Sequence, residues 1–162
     1  MQSLKKERNV TCSPDKLLAV LTNPEFEVAK QKDVSGALDA SVKETKRTDS
    51  ELAYEIHSTE YAKGMTGLDK SKTESIVIKT RWNLKERHAE WTWEGPHGKK
   101  VAVSGSMHIK AQGEHSFLLS TLDVEVKFPL VGGQVEKMVV KEIDKTWGKF
   151  DALVDAYISK LS

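Results

Sequence analysis

From Gly36 to Lys127 the chain repeats apolar residues at every second position, the period of a strand that buries one face. Leu38, Ala40 and Val42 alternate with charge and serine. Past a polar turn at 46–50, Leu52, Tyr54 and Ile56 alternate with Ala53, Glu55 and His57. Ile76, Ile78, Thr80, Trp82 and Leu84 share a face in the next run, then Trp91 with Trp93, then Val101, Val103, Met107 and Ile109. The last run carries Leu122, Val124, Val126 and Phe128 up to Pro129. Turn residues at 95–99 and 111–115 separate the runs. The stretch 61–72, YAKGMTGLDKSK, breaks the alternation and is expected to be a loop. With a thinly apolar edge strand at 3–11, the pattern predicts six or seven strands joined as an antiparallel meander.

The period switches to helical twice. Ser13-Pro14-Asp15 supplies a capping hydroxyl, a proline at the first helical position and an acid in the first turn. The helix they start carries Leu17, Leu18, Val20 and Leu21 and stops at Asn23-Pro24. A second, short helix over 24–32, with a loop as the alternative because its amphipathicity is weaker, would bury Phe26 or Val28. At the other end Val135, Met138, Val139, Ile143, Trp147, Phe150, Leu153, Val154, Tyr157, Ile158 and Leu161 follow steps of three and four. They predict a helix over 131–161, roughly 45 Å long at 1.5 Å per residue. One apolar stripe of that length needs a large apolar surface, and the meander's apolar face is that surface. Gly132 and Gly133 let the chain turn sharply and seat the helix start tightly, so Gly133→Val is expected to cost more than about 1 kcal/mol.

Composition narrows the function classes. At 162 residues the chain suits a single domain, 1–162, with a sizeable core. Lys and Arg number 25 against 24 Asp and Glu, a balance that argues against a basic face for nucleic acid. Cys12 is the only cysteine, so no intrachain disulfide forms. No apolar run is long enough for a membrane span or a signal peptide, and the expected location is cytoplasmic.

A strand, two short helices, a run of antiparallel strands and a long terminal helix is an order that resembles the START-like, birch-pollen-allergen-like superfamily. VEVKFPLVGGQVEKMV at 124–139 is similar to the strand-to-helix junction of a bacterial START-like family of unknown function, and CSPDKLLAVLTNPEF at 12–26 is similar to that family's first helix. The resemblance implies an α+β helix-grip fold, a curved antiparallel sheet wrapped around the C-terminal helix with a cavity between them. It also implies a hydrophobic small molecule or lipid as the commonest ligand, with polyketide-cyclase-like enzymes and chaperone-cofactor interaction modules as alternatives.

The parity of the strands then sorts the side chains. Tyr54, Ile78, Trp82, Trp91, Trp93 and Met107 on the sheet, with Met138 and Trp147 on the helix, are the candidate ligand-binding residues, each with plain core packing as the alternative. Met65 and Leu68, between Gly64 and Gly67, are candidates for a gate or a transient membrane contact. His57, His88 and His108 fall on the outward parity and His97 and His115 in turns, so the spacing predicts no metal site. Ser104, Ser106 and Ser120 have no triad partners nearby in sequence. The expectation is a monomer or weak dimer that needs no cofactor and binds rather than catalyses.

Overall fold

The computed structural model describes residues 1–64 and 67–162. Strand β1 (Gln2–Val10) leads into α1 (Pro14–Leu21) and α2 (Pro24–Ala29). A short π-helical segment (Lys30–Val34) extends α2 and delivers the chain to β2 (Asp39–Arg47). Then follow β3 (Glu51–Gly64), β4 (Gly67–Asn83), β5 (His88–Glu94), β6 (Val101–Gln112), β7 (His115–Val126) and the long helix α3 (Gly132–Lys160). The strands form one seven-stranded sheet in the order β1-β7-β6-β5-β4-β3-β2, and every neighbouring pair is antiparallel. This is the expected helix-grip arrangement.

The caps act as their chemistry requires. The Ser13 hydroxyl accepts from the Lys16 N–H, and the Asn23 side chain accepts from the Glu25 N–H. A proline opens each of the two helices that follow. Phe26 is buried and meets Phe150 and Tyr157 of α3 edge to face.

Of the expected loop at 61–72, residues 61–64 and 67–72 are strand. β3 and β4 run on as a long hairpin in which Gly64 pairs with Gly67, and a register shift after Tyr61 accommodates the extra residues of β4. Toward the hairpin tip β4 is exposed on both faces alike, so side-chain alternation fades although backbone pairing continues. Leu68 stands on β4, 58% exposed, rather than on a loop. Met65 lies outside the described residues.

Helix α3 is set by charge as well as by its apolar stripe. β1 turns Lys6 and Arg8 to the side that faces α3, where Lys6 pairs with Asp144 and Arg8 with Asp151 and Asp155. The helix therefore runs along β1 and β7, one edge of the sheet, and reaches α1 and the π-helical segment with its C-terminal half. The thin apolar content of β1 is the counterpart of this acidic row.

The junction from β7 to α3 differs from expectation in which residue carries each task. The left-handed backbone belongs to exposed Leu130 (φ 70°), not to a glycine. The close approach belongs to Gly132, where a Cβ would lie 2.4 Å from the Val126 carbonyl oxygen, whereas a Cβ on Gly133 would meet nothing within 4 Å. One turn further on, the Val126 N–H donates to Glu136 Oε2 at 2.8 Å, and this bond is the first cause holding the Glu136 carboxyl below the usual range. Gly132→Ala is thus expected to lower stability by about 1–3 kcal/mol, and Gly133→Ala to leave it unchanged or raise it by up to about 1 kcal/mol. Urea melts of the two variants check the contrast; equal midpoints would show that the junction has slack at both glycines.

Candidate functional site

Cross-strand register lays the inward side chains of the sheet in rows. One row reads Leu52, Trp82, Ala89, Met107 and Ser120. The next reads Tyr54, Thr80, Trp91, Gly105, Leu122 and Leu4. The third reads Val42, Ile56, Ile78, Trp93, Val103 and Val124. Beyond it, toward the β3–β4 hairpin, come Ser58 beside Ile76 and then Glu60 beside Glu74.

The two ends of this surface differ. Around the first row, α1, α2 and the C-terminal half of α3 close a packed core that includes Trp82, Tyr54, Met107, Leu17, Phe26 and Val154. Around the β5–β7 part of the third row a second cluster has only Val103, Leu122, Val124 and Val126 buried, while Val42, Ile56 and Ile78 of the same row belong with the packed core. The apolar side chains that the N-terminal half of α3 sends toward it, Val135, Val139, Val140 and Ile143, stay half-buried, as do Trp91 and Trp93, whereas Glu136, bonded to Val126, is buried. Apolar side chains of α3 and of this end of the sheet pack together yet stay partly open to solvent, and the strip they leave uncovered is an apolar trough.

Its floor is indole. A Cβ on Gly105 would lie 2.5 Å from the Trp91 ring and 2.3 Å from the Thr121 carbonyl oxygen. A Cβ on Gly95 would lie 2.2 Å from the Trp93 ring. The absent side chains of Gly105 and Gly95 thus let both rings lie along the sheet, and Trp93 leans toward the hairpin end, where Gly95 follows β5.

Tyr54 faces inward as expected, but its hydroxyl is committed within the protein. It donates to Glu27 Oε2 at 2.8 Å and lies 3.4 Å from the donating Trp82 Nε1. Glu27, on α2, is buried, and its other oxygen pairs with Lys30 Nζ at 2.6 Å. Burial first, and the Glu27 charge second, push the Tyr54 pKa well above the ordinary tyrosine value. The cluster ties α2 and its π-helical extension to β3 and β4. Sequence reasoning missed Glu27, because a glutamate in a helix reads as solvent-facing; the inward parity of Tyr54, a hydroxyl in need of a partner, was the available signal.

The other predicted residues divide. Trp91 and Trp93 line the trough, Trp82 and Met107 belong to the packed end, and half-buried Ile78, beside Trp93 in register, packs against that same core. Trp147 is half-buried beside Phe150, with ring centroids 5.7 Å apart. Met138 is 46% exposed, turned off the side of α3 that meets the sheet. On the outer face the register sets His88 directly opposite His108, with ring centroids 5.5 Å apart, a pairing their sequence separation conceals. Desolvation, then His88 and Lys110, lower the His108 pKa. Among the described residues no group of three or more His, Cys, Asp or Glu is placed to hold a metal ion. A surface depression of about 520 Å³ lies between Pro24, Val28, Val42 and Tyr157, and one of about 300 Å³ beside Glu51 and Arg81. Among the described residues no helix is long and apolar enough to cross a membrane.

Comparison with known proteins places this geometry. A family described as "Protein of unknown function (DUF2505)" matches residues 6–158. No curated protein matches the sequence. Among solved structures the chain is similar to TTHA0849 from Thermus thermophilus, with 14% identity, TM-score 0.66 and 99% of each chain covered. It is similar to the Zhui aromatase/cyclase from a Streptomyces species, with 11% identity, TM-score 0.64, and 98% of this chain and 94% of that one covered. A START superfamily protein from Mycobacterium smegmatis aligns with 17% identity, TM-score 0.59 and 99% of each chain covered. At such identities the likeness establishes the START-like, helix-grip fold alone.

Proposed function

The chain belongs to the DUF2505 family and carries the START-like helix-grip fold, and on that footing we propose that it binds a hydrophobic small molecule or lipid in the trough between α3 and the sheet, as a carrier and not as a catalyst. One observation carries this reading. Val135, Val139, Val140 and Ile143 on α3 and Trp91 and Trp93 on β5 belong to one apolar cluster, yet each of them stays only half-buried. Apolar surface left between two walls is what an apolar guest removes from water. Covering about 300 Å² of ligand surface is worth roughly 7 kcal/mol gross at about 25 cal/mol per Å². Association costs take back part of that, so micromolar affinity is reasonable. The Tyr54 hydroxyl, a buried polar group of the packed end, is already held by Glu27, which favours binding over chemistry there.

The test uses Nile red, a neutral apolar dye. It is expected to bind with a stoichiometry of one and to quench tryptophan emission, because Trp91 and Trp93 form the floor. Ile143→Glu places a charge on the wall of the trough from a helix surface, and is expected to weaken dye binding by about tenfold or more with circular dichroism unchanged. A folded protein that binds no dye, or an Ile143→Glu variant that binds as the parent does, would overturn the reading.

A further inference from the structure

We propose that the hairpin end of the trough is a receptor for an organic ammonium group, so that the ligand is an amphipathic amine; this rests on the trough being the binding site. Glu60 and Glu74 are directly opposite one another on β3 and β4, with the inward parity of Ile56, Ser58, Ile76 and Ile78. Like charges in that position repel at roughly 5 Å between Cβ atoms. Glu60 is only 8% exposed. Among the described residues its one cationic neighbour is Lys63 at 3.5 Å, a side chain that is itself 62% exposed, and Glu74 has none within 4 Å. The sheet thus brings two carboxylates together at the end of an apolar surface with little internal charge to balance them.

A second observation points to a ligand. Ser58, one inward position before Glu60, is 6% exposed, and among the described residues its hydroxyl has no hydrogen-bond partner. That hydroxyl is not sealed off either, since no side-chain oxygen without a partner is fully enclosed. It therefore keeps some contact with solvent and has capacity for a further hydrogen bond. The third component is Trp93, whose ring covers Gly95 and so leans toward this end of the sheet. Carboxylates, a hydroxyl and an indole face are the chemistry that recognises a substituted ammonium, through charge-assisted hydrogen bonds and cation–π attraction. Behind them the half-buried side chains of Ile78, Trp93 and Trp91 would hold the apolar remainder. Neither glutamate stood out in the sequence, because a whole hairpin separates two positions that only the register makes neighbours.

The experiment compares three probes with the same decyl chain, decylammonium, decanol and decanoate, by calorimetry below their aggregation concentrations. The parent protein is expected to bind decylammonium about tenfold tighter than decanol, and decanoate more weakly than either. The Glu60→Gln/Glu74→Gln variant keeps shape and removes charge; it is expected to bind decanol as the parent does and to lose the preference for the amine. Equal binding of all three probes by the parent, or a preference that survives in the variant, would overturn the ammonium site and leave the apolar trough standing. Binding of none of them would overturn both. Calcium chloride alone is the control for a metal ion: a rise in the parent's melting temperature that vanishes in the variant would show that the carboxylates hold a divalent cation, and would overturn the proposal. A variant that does not fold is replaced by Glu74→Gln alone, on the half-exposed partner, where the same loss of preference is expected.

Discussion

Gly105→Ala is expected to destabilise the protein by about 3 kcal/mol, and Gly105→Val by at least as much. The new Cβ meets two things at once, the Trp91 ring at 2.5 Å and the Thr121 carbonyl oxygen at 2.3 Å. The ring is an aromatic side chain on β5, paired with Gly105 in register, and the carbonyl belongs to β7. Neither is the loose end of a flexible chain, so strand or ring must shift. Adding Trp91→Ala to Gly105→Ala should recover only part of the loss, because the Thr121 carbonyl stays where it is; a double-mutant cycle in urea separates the two contributions. Because Trp91 floors the trough, the same variant should bind Nile red less well. A Gly105→Ala protein with the parent's midpoint would show that the sheet is not pinched there.

Glu27→Ala ranks next, at an expected cost of about 2–4 kcal/mol, since it leaves the buried Tyr54 hydroxyl without its acceptor and Lys30 without its partner. Tyr54→Phe leaves a carboxylate oxygen unsatisfied instead and should cost about 1–3 kcal/mol. Their coupling should be favourable, so the double variant loses less than the sum. The alkaline side supplies a second readout. The folded-state pKa of Tyr54 is raised, so the stability linked to it is complete below the tyrosine's unfolded value near about 10 and is lost as pH rises through the folded one. In the parent one tyrosine should ionise only on unfolding, followed by tyrosinate absorbance, and in Tyr54→Phe that step should disappear. Tyr54→Phe should bind Nile red as the parent does; a large loss in the folded variant would return Tyr54 to the binding surface.

Much of the architecture was legible in the order of residues. Alternation from Leu38 to Phe128 predicted a meander, the steps of three and four from Val135 to Leu161 predicted α3, and Ser13-Pro14 and Asn23-Pro24 marked helix starts that the caps bear out. These signals are local: a strand or helix with one buried face must repeat its apolar residues at its own period. The hairpin tip was misread for the same reason, since Lys70 to Thr73 are exposed and carry no alternation within a strand that continues past them.

What the sequence determined by itself was therefore the set of elements, their order and the face each would bury. What only the tertiary structure decided was which of those faces would be closed. Lys6 and Arg8 draw the acids of α3 to the β1 edge, and α1 and α2 cover the sheet around Trp82, so apolar residues of equal standing in the pattern end differently. Met107 is packed, Trp93 floors an open trough, and Met138 is on the outside of the helix. Glu27 with Tyr54, and Glu60 with Glu74, meet through docking and strand register. A period specifies the direction of a side chain within its own element, whereas its neighbours are chosen by how elements are offset and packed, a long-range property that no local repeat encodes.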